Sequence, residues 1–307
     1  MIKEAENNVR IEGLLSEVDL KYGSFKKKTT GEQVNSIGGS IKVQVNQNVN
    51  GETVMLEVPV HMFASEYTNN GKKNPAYQNM EKIMNEFTSI AAAGNAAQAD
   101  AVRITNGKIV SNDFPNRRTG EISSYPRINA SFVSKIRQDE MKPEATFTAT
   151  FVVGKKAAEV DKDGIETGRY KVTGVLPQYG GKVDVIEFLT TNKKVIEAID
   201  QYWNENDTVS AIGRLNFSSR TETVVKEVDF GEAQEMVRTF SVSELILTGG
   251  SATPLEGDRA YDINEIKEAL AERKERLEKM KEENAASTSK TRNAPAADSK
   301  GRVDLGF

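Results

Sequence analysis

The chain has 307 residues, enough for two domains of ordinary size. Its formal net charge of −4 excludes a globally basic surface, so any contact with phosphates has to come from local groups of Lys and Arg. Cys is absent, which removes disulfides, thiolate metal sites and cysteine nucleophiles and fits a reducing, cytoplasmic setting. No stretch is apolar for the roughly 20 residues a membrane span needs, so a soluble protein without a secretion signal is expected.

Val9, Ile11, Gly13 and Leu15 alternate with more polar neighbours over Val9–Val18, the period of a half-buried strand, and Gly13 lets it bend sharply. A Lys-rich polar stretch follows and reads as a loop. Ile37–Asn46 and Thr53–Ala64 repeat the alternation across a turn containing Asn50-Gly51, which completes a three-stranded meander. From Ala76 to Ile90, the residues Tyr77, Met80, Ile83, Met84, Phe87 and Ile90 recur at three- and four-residue steps on one face of a helix. An Ala-rich linker leads to the strand Ala101–Ser111. After a loop with Pro, Arg and Gly, Tyr125–Arg137 supplies a fifth strand, with Pro126 at its start or edge.

The order then recurs as Thr146–Val153, Tyr170–Gln178, Lys182–Thr190, a helix Lys193–Asn204 with Trp203 directed to the core, Thr208–Phe217 and Val237–Thr248. In each half the fourth strand carries Gly, a base and an aliphatic in succession, as Gly107-Lys108-Ile109 and Gly213-Arg214-Leu215. Three strands, a helix and two strands, twice over, describe a mainly β chain of two tandem five-stranded Greek-key barrels of the OB-fold type, each with one short helix. The expected divisions are a first barrel over 1–140, a second over 141–251, a C-terminal helix over 252–284 and a flexible tail over 285–307.

Within that helix, Tyr261–Asn284 carries Ile263, Ile266, Leu270, Leu277 and Met280 on heptad-like positions, with Asp262 or Asn264 as cap and Arg273 interrupting the stripe. With only about three heptads and that Arg in the seam, docking on the second barrel is favoured over self-association. From Ala285 to Gly301 the chain is Ala, Ser, Thr, Lys and Pro without apolar periodicity, which gives a tether ending in Val303-Asp304-Leu305-Gly306-Phe307.

Nothing in the sequence assembles a catalytic, cofactor or metal site. The single imidazole, His61, sits in an alternating strand and reads as a strand side chain. Gly180-Gly181-Lys182 lacks the upstream Gly and following Ser or Thr of a phosphate loop and reads as a hairpin turn, while Asp161-Lys162-Asp163-Gly164 lacks the closing Glu of a calcium loop.

Basic and aromatic residues instead gather in the expected loops. Lys21, Tyr22, Phe25, Lys26, Lys27 and Lys28 fall between the first two strands; Phe114, Arg117 and Arg118, followed by Tyr125 and Arg127, fall between the fourth and fifth. In such barrels these are the two loops that grip oligonucleotides. Cations neutralise backbone phosphates and aromatic faces stack on unpaired bases, so a single strand offers both targets. The second half offers Lys155, Lys156, Arg169, Tyr170, Lys171, Tyr179, Lys182, Arg214, Phe217 and Arg220, but its last interstrand loop is acidic, with Glu222, Glu227, Asp229, Glu232 and Glu235. The first barrel is therefore the expected binder.

The arrangement of barrels, tail and terminal Phe307 after an Asp resembles phage and bacterial single-stranded DNA-binding proteins, the phage type above all because two dissimilar barrels share one chain. The resemblance implies a non-enzymatic protein that coats single-stranded DNA during replication or recombination in the (host) cytoplasm. It also implies a tail, with Asp304, Leu305 and Phe307, that docks on replication or recombination partners, although Lys300 and Arg302 make this tail less acidic than the family pattern. The competing expectation is a protein–protein adaptor or phage structural component in which the barrels are scaffolds, and RNA in place of DNA differs only by contacts to the 2′-hydroxyl.

Overall fold

The computed structural model describes residues 2–27, 29–49, 51–116, 119–226 and 234–292, without side chains for 219–240 and beyond 285. The strands are β1 (Asn7–Lys26), β2 (Gln33–Val49), β3 (Glu52–Ser65), β4 (Ala101–Pro115), β5 (Ile122–Asn129), β6 (Ser134–Ile136), β7 (Glu144–Val160), β8 (Glu166–Pro177), β9 (Val183–Thr190), β10 (Thr208–Lys226) and β11 (Gln234–Gly250). The helices are α1 (Pro75–Glu86), α2 (Ile90–Ala93), α3 (Lys193–Tyr202) and α4 (Ile263–Arg292).

All eleven strands belong to one hydrogen-bonded sheet of order β10-β11-β9-β8-β7-β1-β2-β3-β5-β4-β6, where two separate barrels were expected. Within it the pairings close two rings. β1 pairs with β2, β2 with β3, β3 in parallel with β5, β5 with β4, and β4 returns to β1. The second ring repeats this as β7, β8, β9, β11 and β10, with β9 parallel to β11 and β10 returning to β7. β1 also pairs with β7, from Asn7↔Ala149 to Glu12↔Glu144, and this ladder makes the sheet continuous.

Most buried side chains of the two rings form one apolar cluster, from Val9 and Ile11 through Phe147, Phe151 and Phe188 to Leu247. α1 starts at Pro75 behind an Asn74 cap whose side chain accepts from the Ala76 N–H, and it buries Tyr77, Met80 and Ile83. α3 occupies the equivalent place in the second ring, followed by Trp203, whose ring meets the edge of Phe151 and whose Nε1 donates to the Ser251 carbonyl at 2.9 Å.

Gly13 is required at its bend, since a Cβ there would lie 2.2 Å from the Gln44 carbonyl oxygen. Gly107 and Gly213 occupy matching ladder positions, opposite Val9 in β1 and Phe147 in β7, and those two residues face each other across the joint. Asn7 completes the joint. Where β1 leaves β4 for β7, its buried side-chain amide takes the place of a peptide group, donating to the Ile109 carbonyl at 2.7 Å and accepting from the Ile109 N–H at 2.9 Å.

Several expected boundaries move. β1 runs to Lys26 and β10 to Lys226, so much of each expected loop is a hairpin arm. The strand expected over Tyr125–Arg137 is interrupted: β5 ends at Asn129, and β6 turns back to pair with the start of β4. The helix expected to end at Asn284 continues to Arg292, into the expected tether, and the tail beyond lies outside the described residues. No helix among the described residues is long and apolar enough to cross a membrane.

Candidate nucleic-acid interface

Strand register decides which face each side chain takes. On β3, Leu56, Val58, Val60, Met62 and Ala64 are buried, so His61 and Phe63 point away from the core. β5 buries Ile128, which turns Tyr125, Arg127 and Asn129 outward, and β4 buries Ile109 opposite it, which turns Lys108, Val110, Asn112 and Phe114 to the same side. On β1, Lys21 lies opposite Gly38 and Gly38 opposite Phe63, so Lys21 and, by alternation, Phe25 join this outer face.

The result is one surface across the first ring with an aromatic pair at each end. Phe25 and Phe63 have ring centroids 5.8 Å apart, and Phe114 meets Tyr125 edge-on at 5.5 Å. Phe63 is 62% exposed and, with Phe25, puts two rings side by side on this face. Between the pairs lies a depression of about 460 Å³ whose lining includes Gly38, His61, Phe63, Lys108, Arg127 and Asn129. Among the described residues no carboxylate lines it directly, while amides and bases supply hydrogen-bond donors.

The electrostatics are graded. Arg127 donates to Asn112 Oδ1 at 2.8 Å, a neutral amide, and pairs with no carboxylate among the described residues. Lys108 pairs with Glu4, and Lys21 with Asp19 at 2.9 Å in an exposed bridge that salt and a ligand readily displace. Burial, with Arg127 nearby, holds the His61 imidazole below its ordinary pKa, so the ring is neutral at pH 7 and offers one donor and one acceptor.

Of the residues the sequence singles out, Lys21, Phe25, Phe114, Tyr125 and Arg127 share this face. Tyr22 and Lys26 lie on the same β1–β2 arm but alternate to its other side, and Lys27 closes the arm's turn in an ion pair with Glu32 at 3.1 Å. Lys28, Arg117 and Arg118 lie outside the described residues, as do Asp304, Leu305 and Phe307. The sequence does not single out Phe63, Asn129, Lys108 or the Gly38 beneath the ring, and His61 reads from sequence as an ordinary strand side chain. The signal for Phe63 was present: it falls on the polar phase of the alternation in Thr53–Ala64.

The second ring's candidates are largely committed elsewhere. Lys156 donates to the Ile199 and Asp200 carbonyls at 3.1 and 3.2 Å, satisfying the end of α3. Lys171 bridges Glu159 at 3.2 Å and Glu187 at 3.3 Å, and Arg169 bridges Glu159 at 3.0 Å and Glu244 at 2.7 Å. The Tyr170 hydroxyl donates to Asp200, and burial followed by that bond pushes its pKa up to about 12. Phe217 is 1% exposed and belongs to the core. Lys155, Lys182 and Tyr179 are exposed, the last two around the Tyr179–Gly181 turn, and Arg214 is half-buried on β10; the side chain of Arg220 is outside the described residues. Glu222 and Glu235 fall in β10 and β11, while Glu227, Asp229 and Glu232 are outside the described residues. Beyond Tyr125, a second cavity of about 420 Å³ is lined by Glu159, Glu187, Glu244 and Arg169, which ends the basic track in an acidic wall.

The fold and this surface define a mainly β chain with an open, aromatic and basic sheet face. A family model described as YorF matches residues 5–283, and the chain belongs to the YorF family. No curated protein matches it. Among solved structures it is similar to the wild-type single-stranded DNA binding protein from Thermus aquaticus, with a TM-score of 0.46 and 11% identity over 83% of this chain and 96% of that one. A deletion mutant of the Thermus protein gives the same TM-score and identity over 83% and 97%. A replication protein A heterotrimer bound to single-stranded DNA is similar at a TM-score of 0.21 and 8% identity, over 83% of this chain and 67% of that one.

Proposed function

We propose that this protein binds single-stranded DNA without catalysing a reaction, and that the outer face of the first ring is the binding surface. One observation carries the reading: Lys21, Phe25, Phe63, Arg127, Tyr125 and Phe114 come from four strands to one side of one sheet. Exposed rings spaced along a track with interleaved cations suit unpaired bases joined by phosphates, and suit a stacked duplex poorly. The order of each ring, with a helix between its third and fourth strands, supports reading each half as an OB-fold barrel, with divisions near 140 and 251. The ion-paired cations of the second ring support a scaffold role for it.

The setting we propose is replication or recombination, as a phage-type accessory protein in the host cytoplasm, with Asp304, Leu305 and Phe307 as a partner tag. Fluorescence anisotropy with oligo-dT and a duplex of equal length tests the binding reading. Tighter, salt-sensitive binding of the single strand is expected; duplex preference, or no binding at low salt, overturns it in favour of an adaptor role.

A further inference from the structure

Arg273 looked like a fault in the apolar stripe of α4, yet it is 8% exposed. Its Nη2 donates to Asp113 Oδ1 at 2.6 Å and to Ser111 Oγ at 3.0 Å. The same Asp113 oxygen accepts from Ser111 Oγ and from Ser124 Oγ, both at 2.7 Å. Asp113 and Ser124 are cross-strand partners in the β4–β5 arm, and Phe114 and Tyr125 are their next neighbours in sequence on the opposite side of that ribbon. One carboxylate therefore ties both strands of the arm to α4, directly behind the aromatic pair.

Two further contacts fix the helix. One and two turns earlier, Ala269 and Ile266 bury against Val152, Val175 and Val183 of the second ring. Nearer the arm's turn, Lys281 pairs with Glu121 at 2.7 Å. Asp184 of β9 joins the junction by accepting from the Ser111 N–H at 3.1 Å. A two-stranded arm is marginal by itself in water, and this one is backed by a helix anchored on the other half of the molecule.

We infer that α4 is a strap that holds the β4–β5 arm in place, with Arg273 the positioning residue that sets Phe114 and Tyr125 for a bound strand. The inference rests on the single-strand reading for its functional half only. Holding the arm lowers the ordering cost at binding, so releasing it weakens affinity without removing any group that touches the ligand. It also makes the second ring, through α4, a contributor to binding at the first.

The test compares full-length wild type, Arg273→Leu, Phe114→Ala/Tyr125→Ala and the triple variant by amide hydrogen exchange and oligo-dT anisotropy. Arg273→Leu is expected to speed exchange over residues 111–126 while β2 and β3 keep their protection. It is also expected to weaken oligo-dT binding by about 2- to 30-fold with an unchanged salt slope. That loss should vanish when Phe114 and Tyr125 are already Ala, which a general loss of stability would not do. Unchanged exchange in the arm overturns the strap, and a loosened arm with full affinity overturns the positioning role. A wild type that ignores oligo-dT defeats the single-strand reading and with it the positioning role, while exchange still judges the strap. Should Arg273→Leu fail to fold, Lys281→Ala repeats the comparison at an exposed bridge, and unchanged exchange over residues 116–126 overturns the inference.

Discussion

The ring of Phe63 lies over Gly38: a Cβ built on that glycine would stand 3.1 Å from Phe63 Cδ2. The missing side chain lets the ring lie low against β2 and reach Phe25, presenting an open face 62% exposed. Phe63→Ala is expected to lower oligo-dT affinity by roughly 1–3 kcal/mol, the worth of one stacked base. Its thermal midpoint should hardly change because so little of the ring is buried. Gly38→Ala should lower affinity by less, since it shifts the ring without removing it. Unchanged affinity in Phe63→Ala removes this ring from the interface.

Arg127 and Lys171 should behave as opposites in a salt titration. Arg127 is bonded to a neutral amide and is free to take a phosphate, whereas Lys171 already bridges two carboxylates. Arg127→Ala is expected to reduce the slope of log affinity against log salt by about 0.7, one phosphate on a single strand. Lys171→Ala should leave slope and affinity as they are, and a loss of slope there would bring the second ring into the interface.

The joint between the rings can be weakened through one amide. Asn7→Leu leaves the buried N–H of Ile109 without its side-chain partner and its carbonyl with only Gln178 Nε2 at 3.3 Å, at an expected cost of about 1–3 kcal/mol. Urea unfolding of the full chain measures it. A variant as stable as wild type would mean that β1–β4 and β1–β7 pairing hold the joint without Asn7.

Glu12 gives a stability signature in acid. The buried carboxylate receives Arg103 Nε at 2.6 Å and Nη2 at 3.2 Å and the Lys142 N–H at 2.6 Å. The Arg103 bond, against the cost of burial, holds its pKa below the ordinary glutamate range. A depressed folded pKa contributes stability above the unfolded value of about 4.3 and loses it as pH falls through the folded value. The thermal midpoint of wild type should therefore exceed that of Glu12→Gln near neutrality, and the gap should close as pH drops below about 4. A gap independent of pH would show that hydrogen-bond geometry, with no contribution from charge, is what Glu12 supplies.

Much of the chain's plan was readable in order. Alternation at period two and the three- and four-residue steps of Tyr77, Met80 and Ile83 found the strands and α1, because both patterns record a buried face. Periodicity gives no signal at Lys21–Lys26, where both sides of the arm are in water and no alternation is required. It gives none at Arg273 either, whose partner Asp113 is 160 residues away in sequence.

The sequence by itself determined where most strands and the helices α1, α3 and α4 lie, their repeated order, and that cations and rings cluster near two hairpins of the first half. Those properties depend on local periodicity and composition. Only the tertiary structure decided that Phe63 and Phe25 touch, that Lys171 and Arg169 are neutralised, that the two rings share a ladder, and which element α4 holds. Each of these depends on register between distant strands, and a shift of one residue would send every side chain to the other face.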